Sequence, residues 1–401
     1  MQVAQVVLGN KTHPEYGVAT IPFPIPREEY GHVLEVLTPL EIGDAIKQDC
    51  EVIECLGYYT VLNRMVGTNV NLDELDYLAK RIDSFFGDES AQFQAMAEKL
   101  DLTDIKDFIN LTFCCQQATV INDFSNLEKV GRAHYMNLNG GCAASSELED
   151  LNGHETALML IGSGEGTVTP YGVIYDNGME LEQIYDGKAF PEYLYDASVI
   201  AVEVKTIDFD PAASRSTWLF LPMPEEQIDR MLQRIGIEKD YDFKMELTEY
   251  ELPEDIINRM HIPYENLHDL NRMCEVISPM KAQERGKLAA AVLMAKAEYA
   301  CHIYRLAENL DQFEFIEKIK TPKEYGQYMI RESGHFEYDP NLDEFYAYEK
   351  YGQQRMEQET GEFNSYGYIS YHGTLSLDEL MMEDPAEAYR EEQGFQMGGI
   401  Q

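Results

Sequence analysis

Basic residues are scarce in this chain. Its 401 residues hold 31 Lys and Arg against 72 Asp and Glu, a formal net charge of −41. No basic stripe runs along it, which disfavours direct binding to nucleic acid. Long apolar runs are missing too: no stretch of about 18 apolar residues exists, so no membrane span is expected. The start, MQVAQVVLGNK, lacks the basic opening and apolar run of a secretory leader. Cysteine is sparse and unpatterned. The seven, Cys50, Cys55, Cys114, Cys115, Cys142, Cys274 and Cys301, are odd in number and irregular in spacing. That fits reduced thiols in a cytoplasm better than a disulfide framework, and a cytoplasmic protein is expected.

Catalytic motifs are equally thin. His154-Glu155 begins like a zinc-protease pair, but Leu158 stands where the second histidine belongs. Gly9-Asn10-Lys11-Thr12 lacks the glycine-rich lead of a phosphate loop. The run Gly162 to Gly166 contains Ser163 but misses the spacing of a nucleophile elbow. No calcium-loop pattern occurs. Cys50 and Cys55 lack a second pair at zinc spacing, so core packing suits them better. Neither a metal nor a cofactor is expected, and no catalytic residue is assigned.

What the chain does have is apolar mass and acid. Apolar residues make up 44% and aromatics 11%, enough for real cores in two or three domains. Self-repulsion from 41 net charges costs folding stability, so the charge calls for a reason. Salt adaptation is one, although the 26 Tyr, 17 Phe and 18 Met argue against it. Simple solubility is another. The third is imitation of a polyanion. At one charge per about 1.7 Å of B-DNA axis, the net charge matches roughly 70 Å, or about 20 base pairs, of duplex. The acids also alternate with apolar helix positions and do not gather in one block. That places carboxylates on the outward sides of folded elements, where they can stand in for phosphates.

Taken in order, residues 2 to 8 read as an edge strand. Ile21 to Pro26, with proline at alternate positions, is extended or at a sheet edge. A helix then carries Tyr30, Val33, Leu34 and Leu37 on one face. Residues 46 to 56 read as a strand, and Asn71 to Phe86 as a helix with Leu72, Leu75, Leu78 and Ile82 in line. Helical patterns return over Phe93 to Cys115 and Asn126 to Tyr135. Beyond Asn137 the chain becomes glycine-marked and strand-like. Tyr171, Val173 and Tyr175 alternate, Asn177-Gly178 suggests a hairpin, and Met179 to Tyr185 would be its return strand. Val199 to Val204 is a further strand, and Pro211 to Ser216 a loop.

From Trp218 the opening pattern comes back. Ile228, Met231, Leu232 and Ile235 superpose on the first helix at an offset of 198 residues; Leu267, Leu270, Met273 and Ile277 superpose on the second at 195. Between them a strand sets Tyr241, Phe243, Met245 and Leu247 against Asp242, Lys244 and Glu246. A long helix follows over Gln283 to Asn309 and a short one over Pro322 to Arg331. The near-constant offset argues for duplication. The acids are dense here, eleven against four bases between Pro224 and Asp255 and sixteen against three between Glu332 and Glu392. The expected fold class is α+β: an elongated protein of two related acidic units, made of small β-sheets and helical bundles, joined by a strand-rich insert. The boundaries fall at 1–140 for a divergent first unit, 141–215 for the insert, 216–373 for the second unit and 374–401 for an acidic, poorly ordered tail.

The second unit resembles the ArdA family of antirestriction proteins, which mobile elements carry. Leu267-His268-Asp269-Leu270-Asn271-Arg272-Met273 has a Leu-Asn step like that of the family's antirestriction region. Pro322 to Ile330, PKEYGQYMI, is similar to the family's late helix. Tyr346-Ala347-Tyr348-Glu349-Lys350-Tyr351-Gly352, followed by Gly361-Glu362-Phe363, resembles its closing signature. The likeness covers about residues 216 to 373, and residues 18 to 140 are a fainter copy with Leu75-Asp76 in place of Leu270-Asn271. The insert has no counterpart that the sequence places.

The resemblance implies a non-enzymatic DNA mimic. Such a protein occupies the basic groove of a type I restriction-modification enzyme, binds no nucleic acid itself and works as a homodimer. Two units in one chain would either replace that dimer or lengthen the mimic. The carboxylates assigned to the interface are Glu225, Glu226, Asp229, Glu246, Glu249, Glu251, Glu254, Asp255, Glu265, Asp269, Asp343, Glu344 and Glu349, with Leu270 and Asn271 as the motif. The competing reading is an acidic interaction module that binds another basic partner without mimicking DNA.

Overall fold

A computed structural model describes residues 2–141, 143–207, 214–237 and 243–382. The fold is α+β, with small antiparallel sheets among many short helices. The chain divides into two compact units. The first comprises Met1–Tyr195, Lys205–Trp218 and Pro224–Asp242; the second comprises Asp196–Val204, Leu219–Met223 and Phe243–Gln401.

In the first unit, β1 (Ala4–Gly9), β2 (Val18–Phe23), β3 (Cys50–Gly57) and β4 (Asn69–Val70) form an antiparallel sheet in the order β2-β1-β3-β4. The expected edge strand β1 is thus an inner one. Alternation explains its place: Ala4, Val6 and Leu8 are buried on one face. Pro22 lies in β2, an edge strand, where its missing N–H breaks no ladder. Helices α1 (Tyr30–Leu37) and α2 (Leu72–Asp83) cover the sheet with the apolar stripes read from the sequence. Helices α3 (Glu89–Lys99) and α4 (Ile105–Leu111) extend this core. Next come β5 (Thr119–Ile121), α5 (Leu127–Leu138), α6 (Ser145–Asp150), α7 (Gly153–Gly162), β6 (Thr167–Thr169) and β7 (Gly172–Tyr175). The three strands form a second sheet in the order β5-β7-β6.

Strands β8 (Ile200–Thr206), β9 (Ser216–Leu221) and β10 (Phe243–Tyr250) form a sheet in the order β10-β8-β9, with 200–204, 219–221 and β10 assigned to the second unit. Helix α8 (Glu225–Ile235) follows β9 in the chain but is part of the first unit. The second unit continues with α9 (Glu254–Ile257), α10 (Leu267–Ile277), α11 (Ala282–Ala295) and α12 (Ala300–Glu308). It closes with β11 (Phe313–Glu317), α13 (Pro322–Arg331), α14 (Tyr348–Gln358), β12 (Glu362–Phe363), β13 (Gly367–Tyr371) and α15 (Leu377–Met381).

Several sequence expectations need correction. The single long helix over Gln283 to Asn309 is two, because Lys296 takes a left-handed φ of 56° and ends α11. The expected return strand Met179–Tyr185 is irregular. Its aromatic continuation is anchored to α2 instead: Tyr185 and Phe190 are buried, Phe190 stacks on Tyr77, and the Tyr193 hydroxyl donates to the Lys80 carbonyl at 3.1 Å. The boundary drawn at residue 140 falls inside the first unit, which runs on to Tyr195. Residues 374–382 are not a loose tail, since α15 buries Leu380 and Met381. Tyr241 and Asp242, part of the loop before Ser216, and the tail from 383 lie outside the described residues.

The two halves share their pairing register. Thr167↔Ile174 and Val168↔Val173 in the first sheet match Glu362↔Ile369 and Phe363↔Tyr368 in the second, each pair 195 residues on. Val120↔Ile174 matches Phe315↔Ile369 in the same way. So do the left-handed residues Asp101 and Lys296 that end α3 and α11. The 145–175 region, read as part of an insert without counterpart, therefore lines up with 340–370. Both halves also contain a helix crossing that only glycine permits. A Cβ on Gly131 of α5 would lie 1.8 Å from the Gly153 carbonyl oxygen of α7. A Cβ on Gly352 of α14 would lie 1.8 Å from the Pro322 carbonyl oxygen of α13, and one on Gly326 would lie 1.9 Å from that of Tyr348.

Helices α2 and α10 begin alike. Asn71 caps α2 through the N–H groups of Asp73 and Glu74; Asn266 caps α10 through those of His268 and Asp269. Five residues past each cap, a side chain holds the segment between two prolines. The Ile25 N–H donates to Asp76 Oδ1 at 2.7 Å. The Met223 N–H donates to Asn271 Oδ1 at 2.9 Å, and Asn271 Nδ2 donates back to the Met223 carbonyl at 2.9 Å. Leu75-Asp76 thus does the positional work of Leu270-Asn271, with Lys80 Nζ 2.8 Å from the second Asp76 oxygen.

Burial pushes the Asp76 carboxyl above its ordinary pKa, and Lys80 works against that rise. Lys80→Ala therefore leaves a buried carboxylate without its ion partner and is expected to cost about 3 kcal/mol. Asp76→Asn keeps the acceptor for Ile25 and should stay within about 1 kcal/mol of the parent. A carboxyl with a raised folded pKa favours folding when protonated, so the Lys80→Ala deficit should shrink as pH falls from 7 toward 5. Urea unfolding at the two pH values checks this; equal losses for both variants would refute it.

Candidate acidic interface

Helix α8 opens with Glu225 and Glu226 in its first turn, where carboxylates suit the helix dipole, and ends at Gly236 in the left-handed region. Ile228, Leu232 and Ile235 face inward, as expected. Two arginines one turn apart face inward as well, and both are buried. Arg230 forks onto Asp73 Oδ2 with contacts of 3.0 and 2.8 Å and also donates to the Gly43 carbonyl at 2.6 Å. The Tyr30 hydroxyl donates to the other Asp73 oxygen. Burial, then the Asp73 charge, push the Tyr30 phenol well above its ordinary pKa.

Arg234 donates to the Ala45 carbonyl at 3.0 Å, to Asn71 Oδ1 at 2.9 Å and to the Lys188 carbonyl at 3.0 Å. It reaches Glu74 Oε1 at 3.4 Å, contacts the Tyr185 hydroxyl and stacks over the Phe190 ring. Tyr185 in turn donates to Glu74 at 2.7 Å. Asp73 and Glu74 are therefore internal counter-ions. The sequence reading assigned no such role to Arg230 and Arg234. Their spacing of four residues puts both on one side of α8, opposite the stripe of Ile228, Leu232 and Ile235, so the helix is buried on two sides and the apolar pattern reports only one.

The assigned carboxylates separate by environment. Glu226, Asp229, Glu246, Glu249, Glu251, Glu254, Glu344 and Glu349 are exposed. Glu225, Asp255 and Asp269 are partly buried. Glu225, Glu226 and Asp229 lie on α8 in the first unit; the others lie in the second. Glu246 and Glu249 stand on β10, Glu254 and Asp255 start α9, and Asp269 lies in the first turn of α10. Leu270 and Asn271 are core residues, and Asn271 acts through the backbone clamp described above.

Two assignments do not hold as free surface charge. Glu265 is buried and accepts the Ala300 N–H at 3.0 Å at the start of α12, with burial raising its pKa. Asp343 is gripped by Arg331 Nη2, 2.6 Å from each carboxylate oxygen, and by the Tyr338 and Tyr348 hydroxyls. Arg331 first, then the two phenols, hold its pKa down to about 2. Both acids serve local structure because a nearby donor set outcompetes water for them.

The discarded catalytic motifs have structural roles. The Ser163 hydroxyl donates to the Leu160 carbonyl at 2.7 Å at the end of α7, and Lys11 Nζ donates to the Gly67 carbonyl at 2.8 Å. Cys50, Cys55, Cys114, Cys115 and Cys274 are buried free thiols. Burial raises the Cys55 thiol to about 11, far from a reactive thiolate. Among the described residues, no three His, Cys, Asp or Glu are grouped to hold a metal. No described helix is long and apolar enough to cross a membrane.

Exposed carboxylates thus stand on α8 in the first unit and on β10, α9 and α14 in the second. Comparison with known families is more specific: residues 208–370 match the family described as Antirestriction protein (ArdA). This part of the chain is similar to that family. No curated protein matches the chain.

Proposed function

We propose that the protein is a DNA mimic that enters the DNA-binding groove of a type I restriction-modification enzyme and blocks it by binding alone, in the cytoplasm where that enzyme works. The observation that carries this reading is the ArdA match over 208–370, on a segment whose exposed faces hold Glu246, Glu249, Glu251, Glu254, Glu344 and Glu349. Carboxylates on folded elements keep fixed separations and can meet the Arg and Lys side chains that otherwise grip phosphates. Such a protein needs neither a catalytic residue nor a cofactor.

The test is competition. Titrated into a type I methyltransferase bound to labelled duplex, the protein should displace the DNA at low salt. Displacement should weaken steeply at moderate salt, because the attraction is screened over about 10 Å at 0.1 M. A single neutralisation such as Glu249→Gln should change the midpoint by no more than about fivefold, since each exposed pair contributes only about 0.2–1 kcal/mol. Displacement insensitive to salt, or abolished by that one change, would refute a distributed electrostatic interface.

A further inference from the structure

We infer that the first half of the chain is a second inhibitory module of the kind proposed above; the inference rests on that proposal. The observation behind it is the 195-residue register. It holds through two sheets, two helix caps, two left-handed helix ends and the start of the paired glycine crossings. Repeated core positions need explain no more than a repeated fold. Some surface acids recur as well. Glu51, Glu54 and Glu149 stand 195 residues before Glu246, Glu249 and Glu344, and Glu28 stands 198 before Glu226. Glu28, Glu54 and Glu149 are exposed, and Glu51 is partly so.

The charge is also shared evenly. Residues 1–195 hold 31 acids and 11 bases, a net of −20; residues 196–401 hold 41 and 20, a net of −21. A spacer would have no use for a −20 charge that repels its own fold. The partner it fits is therefore the same basic, DNA-binding groove. Not every acid is copied. The counterparts of Glu225, Asp229, Glu251, Glu254, Asp255 and Glu349 are Arg27, Gly31, Leu56, Tyr59, Thr60 and His154, so the first module has fewer contacts of this set.

The experiment uses the full chain in two forms, one with Glu51, Glu54 and Glu149 changed to Gln, the other with Glu246, Glu249 and Glu344 changed to Gln. Each is titrated at low salt into the methyltransferase with bound labelled duplex, after circular dichroism confirms an unchanged fold. If both modules engage, each form should need roughly five- to tenfold more protein for half displacement. A first form that matches the parent while the second weakens would overturn the inference and leave the proposed function standing. A parent chain that displaces no duplex would sink the proposed function itself, and the inference with it.

Discussion

Arg234→Met will destabilise the first unit by about 3–5 kcal/mol, because it strands Glu74 in the core. The side chains of both partners are 3% exposed, so water cannot take over the lost contacts. The Ala45 carbonyl loses its Arg234 donor in the same step, while Asn71 Oδ1 keeps the Asp73 and Glu74 N–H groups. Gln48 and Tyr185 still donate to Glu74, which places the loss toward the lower end of that range. Urea unfolding at pH 7 should show the deficit. Adding Glu74→Gln should restore most of the stability, since a neutral amide costs less to bury than a lone carboxylate. Equal stability of parent and Arg234→Met at pH 7 would contradict the buried network.

Gly352→Ala carries the second large effect, about 3 kcal/mol or more. Its methyl group would sit 1.8 Å from the Pro322 carbonyl oxygen and 2.9 Å from the Gly326 nitrogen, both backbone atoms that cannot rotate away. Helices α13 and α14 must separate, and the packing of Tyr325, Met329 and Tyr368 beneath them loosens. Gly326→Ala should cost a similar amount, and the double variant less than the sum, because the first change already parts the helices. Gly286→Ala on α11 is the control. Nothing lies within 4 Å of that Cβ, so the usual helix preference for Ala should stabilise by up to about 1 kcal/mol. Thermal unfolding of the three variants reads all of this. A Gly352→Ala protein as stable as its parent would show that the crossing is looser than described.

Apolar periodicity was a good guide where one face of an element is buried. The stripes of α1, α2, α8 and α10, and the offsets that relate them, follow from spacing alone. Between residues 141 and 195 the guide failed for physical reasons. Strands β6 and β7 are three and four residues long, too short for alternation to register. The α5–α7 contact runs through Gly131 and Gly153, which contribute no apolar signal. Met179 to Tyr185 reads as a return strand but is irregular, and the aromatic run that continues it packs against α2. At the candidate interface, exposure of Glu246 could be anticipated because it alternates with Met245 and Leu247. The roles of Glu265 and Asp343 could not be, since the start of α12 buries the first and Arg331 pairs with the second.

The clamp between two prolines is met by Asn271 in one half and by Asp76 with Lys80 in the other. Two chemistries thus satisfy one backbone demand: an acceptor at the same point, with its remaining valence filled by amide or by ammonium. A pattern that insists on the amide will pass over the first half of this chain. One that asks for a capping Asn and, five residues later, either Asn or an Asp followed by Lys at the next turn would retrieve both. Proteins with a single recognised copy can then be searched for a silent twin about 195 residues upstream.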